Sequence, residues 1–96
     1  MRTIFKYPVQ IADQFDVEMP AGASVLSVQV QGDQPQMWVA VDTEARVVRR
    51  AFAVRGTGHP LQRDVGRFVG TFQMLGGALV FHLFDIDGGG EKRDSG

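Results

Sequence analysis

The sequence predicts an all-β fold: one small domain, a sandwich or a partly open barrel of about six to seven short strands. Apolar and polar residues alternate with a period of two along most of the chain, which is typical of half-buried strands. Glycine and proline separate the alternating runs, and no window shows a convincing helical period of 3.6. The 96 residues suffice for a single domain, which we place at residues 1–85.

The first two strands are predicted near the N-terminus, in the segments RTIFKYP and QFDVEMP, which end at Pro8 and Pro20. Proline has no N–H group to donate to a ladder, so it marks the end or the edge of a strand. Between them, PVQIADQF is the only segment where a turn of helix is expected, and its helical signal is weak.

The next two strands are predicted to form a hairpin, because SVLSVQVQ and MWVAVD both alternate and GDQP interrupts them. Trp38 and Ala40 would lie on the opposite face of their strand from Met37, Val39 and Val41. The residues predicted to share the core faces are Leu26, Val28, Val30, Met37, Val39 and Val41.

Two more strands follow in RVVRRAFAVR and RFVGTFQML. Arg49 and Arg55 would lie opposite the core face of the first. Gly70, in the middle of the second, predicts a bulge or a close approach of another segment to the backbone. The residues predicted to share the apolar faces are Val48, Phe52, Val54, Phe68, Phe72 and Met74.

The last strand, ALVFHLF, is apolar on both faces. Such a strand is either central in a two-layer core or covered by a second protomer. The DID segment at 85–87 is expected to be a solvated strand end. Residues 86–96 are rich in glycine and charge, so we expect them to form a disordered tail.

Composition limits the class of protein. About 44% of the residues are apolar and none is cysteine, which excludes disulfides and thiolate chemistry and fits an intracellular protein. The first ten residues lack the apolar run of a secretory signal, and the most apolar window is far shorter than the roughly 20 residues of a membrane-spanning helix. We expect a soluble protein that does not contact a membrane.

The charges are distributed unevenly. Every charged residue between Val9 and Ala45 is acidic, whereas the segment from Arg46 to Arg67 holds six arginines and one acid. Neighbouring strands could pair these charges across a sheet. Alternatively, the arginines line a site for phosphate or carboxylate. An isoelectric point near 6.0 argues against long DNA or RNA as a partner.

The principal functional hypothesis concerns the stretch VRGTGHPLQR. Its glycines permit positive φ, so the turn could aim N–H groups at one anion, helped by a hydroxyl, an imidazole and flanking arginines. Alternatively, it is only a turn between strands. Trp38 is either a large core residue or a functional one, as a platform for a ring or an anchor at an interface. The predicted ligand-binding residues are Arg55, Gly56, Thr57, Gly58, His59 and Arg63, with Arg49 and Trp38 as secondary candidates.

No motif indicates catalysis, so we expect a protein that is not an enzyme and has no metal or other cofactor. The glycine spacing fits neither a P-loop nor a dinucleotide fingerprint. Histidine occurs only at positions 59 and 82, without metal-ligand spacing. We expect His82 to be buried and hydrogen-bonded to a backbone carbonyl or a carboxylate, with a role at an interface as the second choice.

Five segments together resemble a family of short, largely uncharacterised phage and prophage proteins: TIFKYP, MPAGASVLSVQVQ, WVAVD, GTGHP and GTFQMLGGALVFHLF. The resemblance covers roughly residues 1–84. It implies a phage-encoded protein acting in the cytoplasm of a bacterial host cell. It implies no established chemistry.

Together these observations favour a non-enzymatic, homo-oligomeric binding protein for a small anionic, nucleotide-like ligand. In a phage context it would be a counter-defence sponge that sequesters a nucleotide signal. The alternative is a protein-interaction inhibitor of a host defence or regulatory complex. A third interpretation is a component of the virion or of its assembly.

Overall fold

The structure, a computed structural model, describes residues 1–87, which form seven strands. The strands are β1 (Arg2–Pro8), β2 (Gln14–Pro20), β3 (Ser24–Gln31), β4 (Gln34–Asp42), β5 (Val47–Gly56), β6 (Arg67–Met74) and β7 (Leu79–Asp85), with a 3₁₀ turn at Leu75–Gly77. Both predicted N-terminal strands are confirmed, and each includes its terminal proline. The segment between them is not helical.

The strands form two antiparallel sheets. One has three strands in the order β1-β4-β3, and the other has four in the order β2-β5-β7-β6. Their inner faces share one apolar core, so the predicted all-β sandwich is confirmed and the sheets do not close into a barrel. No helix among the described residues is long and apolar enough to cross a membrane.

The β3–β4 hairpin turns at Gly32 and Asp33, whose φ angles are 58° and 66°. Two consecutive positive φ values are what a type I′ turn requires, and this turn matches the natural twist of the strands it joins. The predicted hairpin is therefore confirmed. Asp33 accepts the left-handed conformation because a short polar side chain tolerates it better than most.

The core is built by alternate residues of both sheets, as the period of two predicted. Its buried residues are Val9, Phe15, Met19, Ala23, Val25, Val28, Met37, Val39, Val41, Phe52, Val54, Phe72 and Leu83.

Three predicted core positions are wrong. Leu26 is 53% exposed, because the β3–β4 register shifts between Val25 and Ser27 and a β-bulge takes Leu26 out of the alternation. Phe68 is also 53% exposed, because the β6–β7 register shifts before Gly70 and leaves Phe68 on the outer face. Val30 lies near the tip of the hairpin and is exposed.

Both features predicted at Gly70, a bulge and a close approach of another segment, are confirmed. It follows the bulge in β6, and a Cβ atom added to it would lie 2.9 Å from Cγ1 of Val28 in the opposite sheet. Nearby, the Arg67 guanidinium donates to the Val25 carbonyl at 3.2 Å. The two sheets are thus in contact along one edge of the sandwich, where β6 packs against β3.

We expect Gly70→Ala to lower the free energy of unfolding by about 1–2 kcal/mol. Overpacking a fitted core costs about 1–3 kcal/mol, whereas the entropic gain of replacing glycine is only about 0.4–1 kcal/mol. Urea denaturation measures the change. In a double-mutant cycle with Val28→Ala, the two substitutions should show favourable coupling, and strict additivity would contradict the contact.

Asp85 corrects the prediction of a solvated DID strand end. Its side chain is fully buried, with 0% exposure, and it accepts a hydrogen bond of 2.7 Å from Nη2 of Arg50. Arg50 is buried too, and its Nη1 donates to the Ala23 carbonyl at 2.8 Å. Glu18 lies opposite Arg49 in the β2–β5 ladder, but among the described residues the two side chains form no ion pair, so the predicted cross-strand pairing of charges stays a prediction there.

The chain remains attached to the fold beyond β7. The Asp87 carboxylate accepts a hydrogen bond of 2.7 Å from the Ala51 backbone N–H, so the domain extends at least two residues past the predicted boundary at residue 85. The remainder of the predicted disordered tail, residues 88–96, lies outside the described residues.

Candidate functional site

The loop that follows β5 folds back over the outer face of the four-stranded sheet. The Thr57 N–H donates to the Val80 carbonyl of β7 at 3.0 Å, and the His59 N–H closes a turn onto the Gly56 carbonyl at 3.1 Å. Gly58, between them, has a φ of 89°. Both N–H groups are used within the protein, so neither can donate to an anion in this conformation, and the predicted nest lacks these two donors.

A depression of about 270 Å³ lies between this loop and β7. Its wall and floor combine a guanidinium, two imidazoles, a hydroxyl and two apolar side chains. The lining residues are Arg55, Gly56, Thr57, Gly58, His59, Leu61, His82 and Phe84. Five of the eight residues predicted from sequence therefore lie around one concave surface.

Arg55 is held in place by neutral acceptors. Its Nη1 donates to the carbonyls of Asp13 at 2.7 Å and Val54 at 3.1 Å, and its Nη2 donates to Oε1 of Gln62 at 3.1 Å. Within the described part of the chain, no carboxylate forms an ion pair with it. The guanidinium is therefore held at a fixed place beside the depression without a direct ion pair among the described residues.

The imidazole of His59 packs directly on Gly56. A Cβ atom at position 56 would lie 2.9 Å from both Cε1 and Nδ1 of that ring. Gly56 is thus needed for the close approach of the ring, and Gly58 for its positive φ.

His82 differs from its prediction. It is half-buried, and it is hydrogen-bonded to hydroxyls: Nε2 lies 2.8 Å from Oγ1 of Thr57, and Nδ1 lies 2.8 Å from Oγ1 of Thr71. The Thr57 hydroxyl also donates to the Val80 carbonyl at 3.3 Å. A neutral imidazole satisfies all three bonds when Nε2 carries the proton, donates to Thr57 and leaves Nδ1 to accept from Thr71.

Three predicted residues lie outside the depression. Arg63 is exposed in the loop and does not line it. Arg49 lies on the same outer face as Arg55 but six residues earlier along β5, about 20 Å away at strand spacing. Trp38 lies half-buried on the outer face of the other sheet, beside Lys6 and Ser27, so it is neither a core residue nor part of this depression.

Sequence reasoning missed Leu61 and Phe84, and did not assign His82 to the site. In the β5–β7 ladder, His82 lies opposite Arg55 and Phe84 lies opposite Ala53. Once β7 is known to pair with β5, these residues belong next to the loop. The available signal was the apolar second face of ALVFHLF, and its explanation is that β7 is central and the chain's own loop covers part of that face.

Among the residues that the structure describes, no three His, Cys, Asp or Glu side chains are grouped to hold a metal ion.

The fold and the site define a small antiparallel β-sandwich domain with a loop-walled surface depression. The chain belongs to the family described as a domain of unknown function (DUF7352), whose model matches residues 1–93. No curated protein and no solved structure matches the chain.

Proposed function

We propose that the protein is a non-enzymatic binding module that holds a small anionic, nucleotide-like ligand in the depression between the β5–β6 loop and β7. The observation that carries the proposal is the convergence of Arg55 and the loop residues with His82 and Phe84 around one concave surface. A site of this kind typically combines apolar lining with a few fixed polar groups.

The chemistry of the lining supports this ligand class. The exposed Leu61 offers apolar surface to a ring, with the largely buried Phe84 beneath it, and the exposed imidazole of His59 can stack on the ring. Arg55 supplies positive charge for a phosphate, in a guanidinium that is already oriented by three hydrogen bonds. The volume of about 270 Å³ lies just below the roughly 300–1,000 Å³ of typical small-ligand pockets, so the depression would hold one part of such a ligand.

The hydrogen bonds of His82 support binding over catalysis. In the tautomer that satisfies all three hydrogen bonds, Nε2 of His82 carries a proton and donates to the Thr57 hydroxyl. A general base would instead accept a proton from that hydroxyl through an unprotonated nitrogen. The group that orients the ring from its other side is the Thr71 hydroxyl, where a catalytic triad would have a carboxylate.

The resemblance to phage and prophage proteins adds the biological setting to the proposal. A phage-encoded module that retains a nucleotide without converting it would act as a counter-defence sponge in the cytoplasm of the bacterial host. Homo-oligomerisation is part of this proposal.

The proposal is tested by incubating the purified protein with a panel of nucleotides and then releasing the bound molecules by heat for mass spectrometry, with native mass measured in parallel. We expect an intact nucleotide at a fixed ratio per oligomer. Arg55→Ala should weaken retention about 10–100-fold, the equivalent of the roughly 1.5–3 kcal/mol of a charge-assisted hydrogen bond. A converted nucleotide would indicate an enzyme.

The matched control is Arg46→Ala, which removes the same charge from the exposed β4–β5 turn and should leave retention unchanged. Thermal melting of each variant separates loss of binding from loss of folding. If retention survives both Arg55→Ala and Gly58→Val, the loop is only a turn and the proposal is wrong.

A second candidate function is inhibition of a host protein complex, and a specific surface favours it. The outer face of the three-stranded sheet exposes Ile4 (56%) and Leu26 (53%) around the half-buried Trp38. Exposed apolar patches of this kind often mark protein contacts. Stable co-purification of a host protein that is lost in Ile4→Asp would support this function.

A further inference from the structure

A second depression adjoins the first and shares part of its wall. It measures about 250 Å³ and is lined by Asp13, Arg55, His59, Pro60 and Gln62. Arg55 and His59 line both depressions, so a ligand lying across these two residues would enter both.

The two depressions differ in chemistry. Leu61 and Phe84 make the first one apolar, which suits the face of an aromatic ring. The second presents the exposed Asp13 carboxylate and the Gln62 side-chain amide. These groups suit a partner that carries several hydroxyls, because a carboxylate accepts hydrogen bonds and an amide both donates and accepts.

Charge places an anionic group between the two depressions. Arg55, in the shared wall, is held by neutral oxygens and forms no ion pair within the described residues. Asp13 accepts the hydrogen bond from Arg55 through its backbone carbonyl, so its negatively charged carboxylate can still repel a phosphate from the second depression. A phosphate is therefore most stable at the wall and a neutral group beyond it.

The side chain of Gln62 is oriented to bind a hydroxyl group in the second depression. Its Oε1 accepts the hydrogen bond from Nη2 of Arg55 at 3.1 Å, which turns its NH₂ group away from the guanidinium. That NH₂ group can donate to a sugar hydroxyl while the Asp13 carboxylate accepts from a neighbouring one.

We infer that the site takes an asymmetric, phosphate-bridged ligand: an aromatic base in the first depression, phosphate at Arg55, and a sugar in the second depression. This inference rests on the proposed function and narrows it. A cyclic dinucleotide with two identical halves would present a base to both depressions, and the second is the more polar of the two, with Asp13 and Gln62 in its lining beside Pro60.

The inference is tested by isothermal titration calorimetry of the full-length protein with ADP-ribose, AMP and cyclic di-AMP. ADP-ribose should bind about 10-fold or more tightly than AMP, since hydrogen bonds to charged groups contribute roughly 1.5–3 kcal/mol. Cyclic di-AMP should bind no more tightly than AMP. Asp13→Asn should remove most of the advantage of ADP-ribose over AMP, because it removes the carboxylate that accepts hydrogen bonds from the sugar hydroxyls.

Asp33→Asn is the matched control, because it makes the same substitution in the distant β3–β4 turn, where asparagine also accepts a positive φ. It should leave the affinities for all three ligands unchanged. If AMP binds but ADP-ribose gains nothing over it, or cyclic di-AMP binds more tightly, the inference is wrong while the proposed function stands. If none of the three binds, both are wrong.

Discussion

Replacing Arg50 by methionine is expected to lower the free energy of unfolding by about 3–5 kcal/mol, because it leaves the Asp85 carboxylate buried without its cationic partner. The two side chains are hydrogen-bonded at 2.7 Å, and Asp85 has no exposed surface. Folded domains are stable by only about 5–15 kcal/mol, and small ones are nearest the lower limit. If the domain is stable by about 5 kcal/mol, the variant would keep roughly 0–2 kcal/mol, a loss that urea denaturation and circular dichroism would measure.

Arg49→Met is the control for this substitution. Arg49 is the neighbouring residue on β5, and its side chain is exposed on the outer face, so the change should stay within about 0.5 kcal/mol. Equal stability of the two variants would contradict the assignment of Arg50 and Asp85 as a buried pair that stabilises the fold.

Gly66→Ala is expected to lower the free energy of unfolding by about 2–6 kcal/mol, since backbone strain and overpacking each contribute roughly 1–3 kcal/mol. Gly66 has a φ of 130°, and a Cβ atom there would lie 2.8 Å from the Asp85 carbonyl oxygen and from Cα of Ile86. Both contacts are with backbone, which cannot rotate away as a side chain could. The measurement is again equilibrium unfolding in urea.

Gly22→Ala separates the cost of backbone strain from the cost of overpacking. Gly22 also has a positive φ, 77°, but its added Cβ atom would have no neighbour within 4 Å. It should therefore show the strain alone, about 1–2 kcal/mol. If Gly66→Ala is no worse than Gly22→Ala, the close approach to residues 85 and 86 does not hold.

The sequence was sufficient to predict the fold class because a period of two is visible without knowing which strands pair. Met37, Val39 and Val41 alternate without interruption, and all three are core residues. Leu26 and Phe68 were mispredicted because each lies at a β-bulge, which shifts the alternation by one residue. Arg50 shares its face with Val48 and Phe52, yet a buried arginine is recognisable only when Asp85 is known to meet it.

The candidate site, like the core, could be predicted from the sequence only in part. Arg55 to His59 could be selected together because they are contiguous in the chain and their chemistry is local. His82, Phe84 and Asp13 join them only through the pairing of β5 with β7 and the position of the β1–β2 connection. Because strand order is a long-range property of the fold, no local pattern identifies these neighbours.

The central position of β7 has a consequence for folding during synthesis. The three-stranded sheet needs only the first 42 residues, whereas β6 hydrogen-bonds within its sheet to β7 and must wait until residue 85 has emerged. At a translation rate of about 5–20 residues per second, the inner face of the three-stranded sheet is exposed for seconds before the complete four-stranded sheet can pack against it. His82 and Phe84 come with the last strand, so the depression is among the last features to form on the ribosome.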